Sequence, residues 1–437
     1  MKRYALIISL VSMSLFVASG AFANNDSELF GENLQRLDAS LNLRRATTEQ
    51  FNPIRGQSVL ARPRPDFDPV PLTFGGFQFY PAINIGPYYD SNIFASRVNT
   101  NDDVIWKINP TVALLSNWGR HAVGVTALGD IDYFQNNPKQ SYKGGAVQIE
   151  GRYDIAQQTW ASGDVSYQRV TELKGSPASP GNSVGGAQYN LYSAHGQAYR
   201  GVGRLKAKMD YNIGNYSYEP VTIIGGSAAS QLARNRLQQR LDTEVSYDVS
   251  ENLKPFVRLA YDRRTYETSG LRNSSGYQAD VGARMDFGGI ITAEAYLGYI
   301  AQDYYNFGIG ETASPDFGGN ILWNMTELTS LEARVSRSVQ EVSIAGDSSY
   351  LNSEASVSVS HELMRDLILQ GSVTYDALDY QGARRKDDYY NVGSGARYYI
   401  NRYLYSDLTY NFQRRTSDAV ANNYDRHTLY LRVGAQY

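Results

Sequence analysis

Ser183 sits in Gly181-Asn182-Ser183-Val184-Gly185, a glycine-flanked serine of the kind that hydrolases use to lift a nucleophile between a strand and a helix. Here the surroundings are rich in Pro, Ser and Gly, with no strand before and no helix after, so the match reads as chance. Imidazole bases are limited to His121, His195, His361 and His427, and no two of them stand at a metal-ligand spacing. Asp130 and Asp132 share one face of an extended segment, as acids lining a wet wall also do. Nothing in these residues forms a catalytic constellation, a metal site or a cofactor site, and the chain is read as a non-enzyme.

The pattern that does recur is alternation. Leu241, Thr243, Val245, Tyr247 and Val249 oppose Asp242, Glu244, Ser246 and Asp248, and Leu205, Ala207, Met209 and Tyr211 oppose Lys206, Lys208, Asp210 and Asn212. Successive strand side chains face opposite sides, so each such segment has an apolar and a polar face. Eighteen segments of this kind run from Phe77 to Tyr437, most of them long enough to cross a membrane when tilted. Short joints such as Gly288-Gly289 and Asn401-Arg402 alternate with long polar ones such as Leu173 to Gly186. The expected fold is all-β: a transmembrane antiparallel β-barrel of about 18 strands, with short periplasmic turns and longer extracellular loops. An even strand count puts both barrel ends in the periplasm.

Parity assigns an inward, pore-lining set: Asp130, Asp132, Lys206, Lys208, Asp242, Glu244, Arg258, Arg284, Glu294, Arg334, Arg397, Tyr405, Asp407 and Arg432. Their signs are mixed, which suits groups that pair across neighbouring strands rather than a strongly ion-selective ring. Trp160, Tyr192, Tyr296, Tyr399, Tyr405 and Tyr430 fall on the same parity, where aromatic faces suit sugar rings. Arg384, Arg385 and Lys386 form a basic loop cluster able to meet lipopolysaccharide phosphates.

Composition agrees. The chain has 35 Tyr against 15 Phe, an excess that suits interfacial girdles. It has no Cys, hence no disulfide framework, and a net charge of -3 that gives no sign of a nucleic-acid partner. Lys2 and Arg3, an apolar run to Ala18 and Ala21-Phe22-Ala23 predict a signal peptide over residues 1–23. Residues 24–76 read as a periplasmic segment, with an amphipathic helix over Ser27 to Arg45 and a linker stiffened by Pro53, Pro63, Pro65, Pro69 and Pro71. Residues 77–437 are the barrel. Its last strand, with Leu429, Leu431, Val433 and Tyr437 on one face, resembles the sorting signal read by the barrel assembly machinery.

Four stretches carry a wider resemblance. They are Tyr89-Asp90-Ser91-Asn92-Ile93-Phe94, Ser116-Asn117-Trp118-Gly119-Arg120-His121, Ser336-Arg337-Ser338-Val339-Gln340-Glu341 and Asp387-Asp388-Tyr389-Tyr390. In these the chain resembles the beta-barrel porin 2 family of outer-membrane proteins, from about Phe77 to Tyr437. That family often has two acids before the first Asn, where this chain has Ser91 as the second, and the change weakens any metal at this turn. The resemblance implies a bacterial (Gram-negative) outer-membrane barrel in contact with lipid and lipopolysaccharide. It also implies, by association, a conduit for exopolysaccharide or capsular polysaccharide working with periplasmic export proteins, which the segment Asn24 to Leu72 would contact. The alternatives are a diffusion porin for uptake of small hydrophilic solutes and a structural or receptor barrel.

Overall fold

The computed structural model describes residues 56–437 except 177–182, 224, 269, 306–310, 342–348 and 382–384. The expected signal peptide, the helix over Ser27 to Arg45 and Arg384 lie outside the described residues.

Eighteen long antiparallel strands close into a ring. They are β1 (Phe77–Asp90), β2 (Asp103–Ser116), β3 (Ala122–Phe134), β4 (Tyr142–Ala156), β5 (Thr159–Glu172), β6 (Ala187–Val202), β7 (Leu205–Tyr218), β8 (Arg236–Tyr247), β9 (Leu253–Tyr266), β10 (Ser274–Phe287), β11 (Ile291–Tyr304), β12 (Glu311–Thr326), β13 (Thr329–Glu341), β14 (Ser349–Met364), β15 (Leu367–Gln381), β16 (Lys386–Tyr399), β17 (Leu404–Ser417) and β18 (Tyr424–Gln436). Each pairs with its neighbours in sequence, and β18 returns to β1. Closure satisfies the backbone without an open edge, which a bilayer demands. Outward positions are apolar and exposed, among them Val245, Leu297, Leu408 and Val433. The inward positions between them are polar.

The seam between β1 and β18 is a special joint. Pro81 and Pro87 lie in β1 and offer no backbone N–H. The ladder runs Ala82–Gln436 to Ile85–Val433, skips Gly86 and Pro87, and resumes at Tyr88–Tyr430. A Cβ on Gly86 would fall 2.7 Å from Arg432 Cα, so only glycine fits this approach. Side chains reinforce what the backbone lacks. Tyr405 of β17 covers Gly434 of β18 and donates to Asn84 Oδ1 of β1 at 2.7 Å. Arg426 of β18 donates twice to Asp90 Oδ2 of β1.

The proline-rich stretch is not a free spacer over its described part. Gly56 N–H bonds the Gly289 carbonyl at the β10–β11 turn, and Val59 N–H bonds Ser330 Oγ on the inner wall of β13. Arg62 reaches Glu327 O and Asn324 at the β12–β13 turn, and Arg64 pairs with Glu362 at the end of β14 at 3.0 Å. Phe67 stacks on Tyr399 of β16, its carbonyl accepts from Gln436, and Leu72–Phe74 pairs with the start of β1. The segment is a strap along the inner edge of the short-turn rim, passing roughly half the ring. The strap is not straight: it makes a 3-10 turn at Val59–Ala61 and a second turn from Arg64 to Asp68.

One sequence expectation changes. Tyr192 faces outward, 56 % exposed against Tyr167, rather than inward. Inward on β6 are Tyr189, Ser193, His195 and Gln197. Small and polar residues occupy both faces of this strand, so its parity is not written in its hydropathy.

Candidate functional site

The candidate site is the barrel interior, which has three zones. The first is a ladder of paired charges on β2 to β12. Lys107 meets Asp132 at 2.6 Å, and Tyr142 Oη donates to the same carboxylate. Asn109 donates to Asp130 at 3.1 Å. His195 lies between Asp164 (3.1 Å) and Asp210 (3.4 Å), with Lys208 also on Asp210 and Lys206 near Asp248. Arg240 grips Asp242. Four groups then form a closed square: Arg258 and Arg284 each contact both Glu244 and Glu294, at 2.7 to 3.1 Å. Two guanidinium and two carboxylate groups cancel there. Beside the square, Asp280 and Asp316 are both 1 % exposed and flank Gly298, which has no side chain to part them. Gln278 Nε2 donates to one oxygen of each, at 2.9 and 2.6 Å, and the other oxygen of each is buried without a hydrogen bond.

The second zone is the wall of β13 to β15, lined mainly by hydroxyls: Ser336, Ser338, Ser356, Ser358, Ser372 and Thr374. Four charges stand among them, Glu332, Arg334, Glu354 and the buried Asp376, which lies opposite Glu354. Arg334 lies opposite Ser356, Glu332 opposite Ser358 and Glu354 opposite Ser336.

The third zone is a collar at the loop end. Glu172 holds Arg234 through both oxygens and accepts from Tyr218. Glu341 accepts from Arg264, Tyr266 and Tyr304. Asp387 accepts from Arg385 and Arg415. The rings of Tyr350, Tyr380, Tyr389 and Tyr424 pack together here, all 4 % exposed or less. Into this collar folds the loop after β5. Gly175, at φ +93°, offers its carbonyl to Tyr389 Oη at 3.2 Å and to Arg415 at 3.5 Å. A Cβ there would lie 2.7 Å from Ala95 Cβ. Tyr389 is on β16, seven steps round the ring from β5 by way of β1 and β18, so the loop reaches far across the interior. Leu173 packs against the buried cluster of Tyr88, Ile93, Ile105, Phe134, Tyr142 and Tyr430. Burial pushes the neighbouring Lys174 ammonium down to about 8.

The fourteen residues assigned inward by parity differ in burial. Asp132, Tyr405, Asp407 and Arg432 are 1 to 8 % exposed and locked to neighbours. Asp407 takes Arg397 through both oxygens and Arg432 as well, linking β16, β17 and β18. These groups belong to the wall rather than to a path through it. Sequence reasoning missed the collar: Asp90, Glu172, Arg234, Glu341, Asp387 and Arg415 lie near strand ends, where alternation fades. Three of the four resemblance stretches converge on it through Asp90, Asn92, Glu341 and Asp387. Asn92 bonds Ser96 and the Asp425 carbonyl, and the Asp90 carboxylate is taken by Arg426. Leu429, Leu431, Val433 and Tyr437 point outward, 44 to 50 % exposed.

Among the described residues no three His, Asp or Glu side chains gather as metal ligands. Ser183 is 3 % exposed and donates to the Gly185 carbonyl. A family model described as Putative beta-barrel porin 2 matches residues 64–437. The chain belongs to this family. It is an outer-membrane β-barrel porin, and the match takes in part of the strap as well as the barrel. No curated protein matches the chain. Among solved structures it is similar to the outer membrane protein OpdK of Pseudomonas aeruginosa (13 % identity, TM-score 0.46, 82 % of this chain and 99 % of that one). It is also similar to OccAB3 of Acinetobacter baumannii (11 %, 0.47, 83 % and 100 %) and to OpdL of Pseudomonas aeruginosa (9 %, 0.47, 83 % and 99 %).

Proposed function

We propose that this porin is a passive channel for small hydrophilic solutes, with its short turns toward the periplasm. The observation that carries the reading is the loop after β5, folded across the interior and held at Gly175 by Tyr389 and Arg415. A polar wall provides a wet path. The folded-in loop at one end and the strap along the other rim narrow that path, which suits molecules the size of a monosaccharide or an amino acid. A polysaccharide conduit, the reading that the family resemblance implies by association, needs room for a continuous polymer. It gains no support from an interior crossed by its own loop.

The purified protein reconstituted in a planar bilayer should give discrete conductance steps, and liposomes carrying it should swell in isosmotic arabinose. In cells, deleting the gene should slow uptake of small polar solutes and leave surface polysaccharide at its normal level. Loss of surface polysaccharide with uptake unchanged would reverse the reading in favour of export.

A further inference from the structure

We infer that Glu332, Arg334 and Glu354 form a contact site for zwitterionic solutes of amino-acid size. This rests on the channel reading and names the solute class.

The argument starts from charge pairing. Most interior charges are already answered by their neighbours: the square of Arg258, Arg284, Glu244 and Glu294 is neutral, Asp132 has Lys107, and Asp407 has two arginines. A charge held by a neighbour has little attraction left for a passing solute. Glu332, Arg334 and Glu354 differ. No ion pair and no hydrogen bond reaches them from the described residues, Glu332 is exposed, and Arg334 and Glu354 are partly exposed. They are side by side on the inner wall. Glu332 and Arg334 are two apart on β13, and Glu354 of β14 lies one pair further along, opposite Ser336. Same-face neighbours at such positions are roughly 7 Å apart, within reach of long side chains. The guanidinium thus stands between two carboxylates.

A simple anion would meet Arg334 but also two acids, and a simple cation the converse. A solute bearing both charges can satisfy both at once. Its carboxylate lies on the planar guanidinium fork, and its ammonium lies on whichever glutamate is nearer. Ser356 and Ser358, the register partners of Arg334 and Glu332, supply hydroxyls for the rest of the molecule. These contacts are solvent-exposed and weak, so the solute is not trapped.

The test is swelling of liposomes carrying the full-length protein, in free glutamine or in arabinose, solutes of similar size that differ in charge. Wild type should admit glutamine about threefold faster than arabinose. Arg334→Gln should remove that advantage and leave the arabinose rate unchanged, and so should Glu332→Gln combined with Glu354→Gln. Arg334→Lys should restore part of it. Heat-modifiability of each variant checks that the barrel has closed. A barrel that admits both solutes at equal rates, or whose glutamine rate ignores all these substitutions, overturns the inference and leaves the channel reading standing. A folded barrel that admits neither solute overturns both.

Discussion

At the scale of single residues, the interior charges sort by what they hold. Asp407 answers two guanidinium groups and is buried with them. Asp407→Asn leaves those cations without a counter-charge and should cost about 3–5 kcal/mol. Urea titration of the barrel in detergent or bilayer measures this as a lower unfolding midpoint. Asp316 is the opposite case. It faces Asp280 across Gly298, two carboxylates that repel when both are ionised, with one oxygen of each unbonded. Asp316→Asn removes that repulsion and adds a donor, so the same titration should show equal or higher stability, by on the order of 1 kcal/mol. On the outside, Val245→Arg should cost about 2–4 kcal/mol at mid-bilayer depth. Parity puts Asp407 on the polar face of its strand and Val245 on the apolar face of its own. It could not tell a wall residue from one that meets solute, because that depends on partners brought from other strands. Tyr405 shows this. It reads as an aromatic lining a pore, yet its ring is spent on Gly434 and its hydroxyl on Asn84.

At the scale of elements, the strands were legible because their signal is local. Period two appears within ten residues, and a turn such as Gly288-Gly289 interrupts it visibly. The loop after β5 was not legible. Its anchor, Tyr389, lies 214 residues from Gly175, and nothing in Leu173 to Ser176 marks it as turned inward. The loop's own chemistry gives it a pH response. The Lys174 ammonium is pushed down to about 8 by burial, against an ordinary value near 10.4. Between those values the exposed lysine binds more proton than the buried one, so the inward position gains stability as pH rises from 8 toward 10. Below pH 8 the charged ammonium opposes burial. Bilayer recordings should therefore show more frequent loop opening at pH 7 than at pH 9.5. Lys174→Arg, which stays charged, should show no such difference between the two pH values.

At the scale of the whole molecule, closure depends on a joint whose backbone ladder is interrupted at Gly86 and Pro87 and is supplemented by side chains such as Arg426 on Asp90. Removing Leu429 to Tyr437 deletes β18's pairing with β1 from Tyr89–Leu429 onward, and with it Arg432. No heat-modifiable barrel should then reach the outer membrane, and the chain should be degraded.

The strap adds a question of timing. It precedes every barrel strand in the chain, yet apart from Leu72–Phe74 on β1 its docking points lie on much later strands: the β10–β11 turn, Ser330, Glu362, Tyr399 and Gln436. The set is complete only when β18 is in the ring. The first described segment to be synthesised is thus the last to settle. Its arrival follows the closing of the barrel and reports on it, as a seal applied only to a finished vessel. Protease resistance at Arg62 and Arg64 should appear after heat-modifiability during folding, never before it.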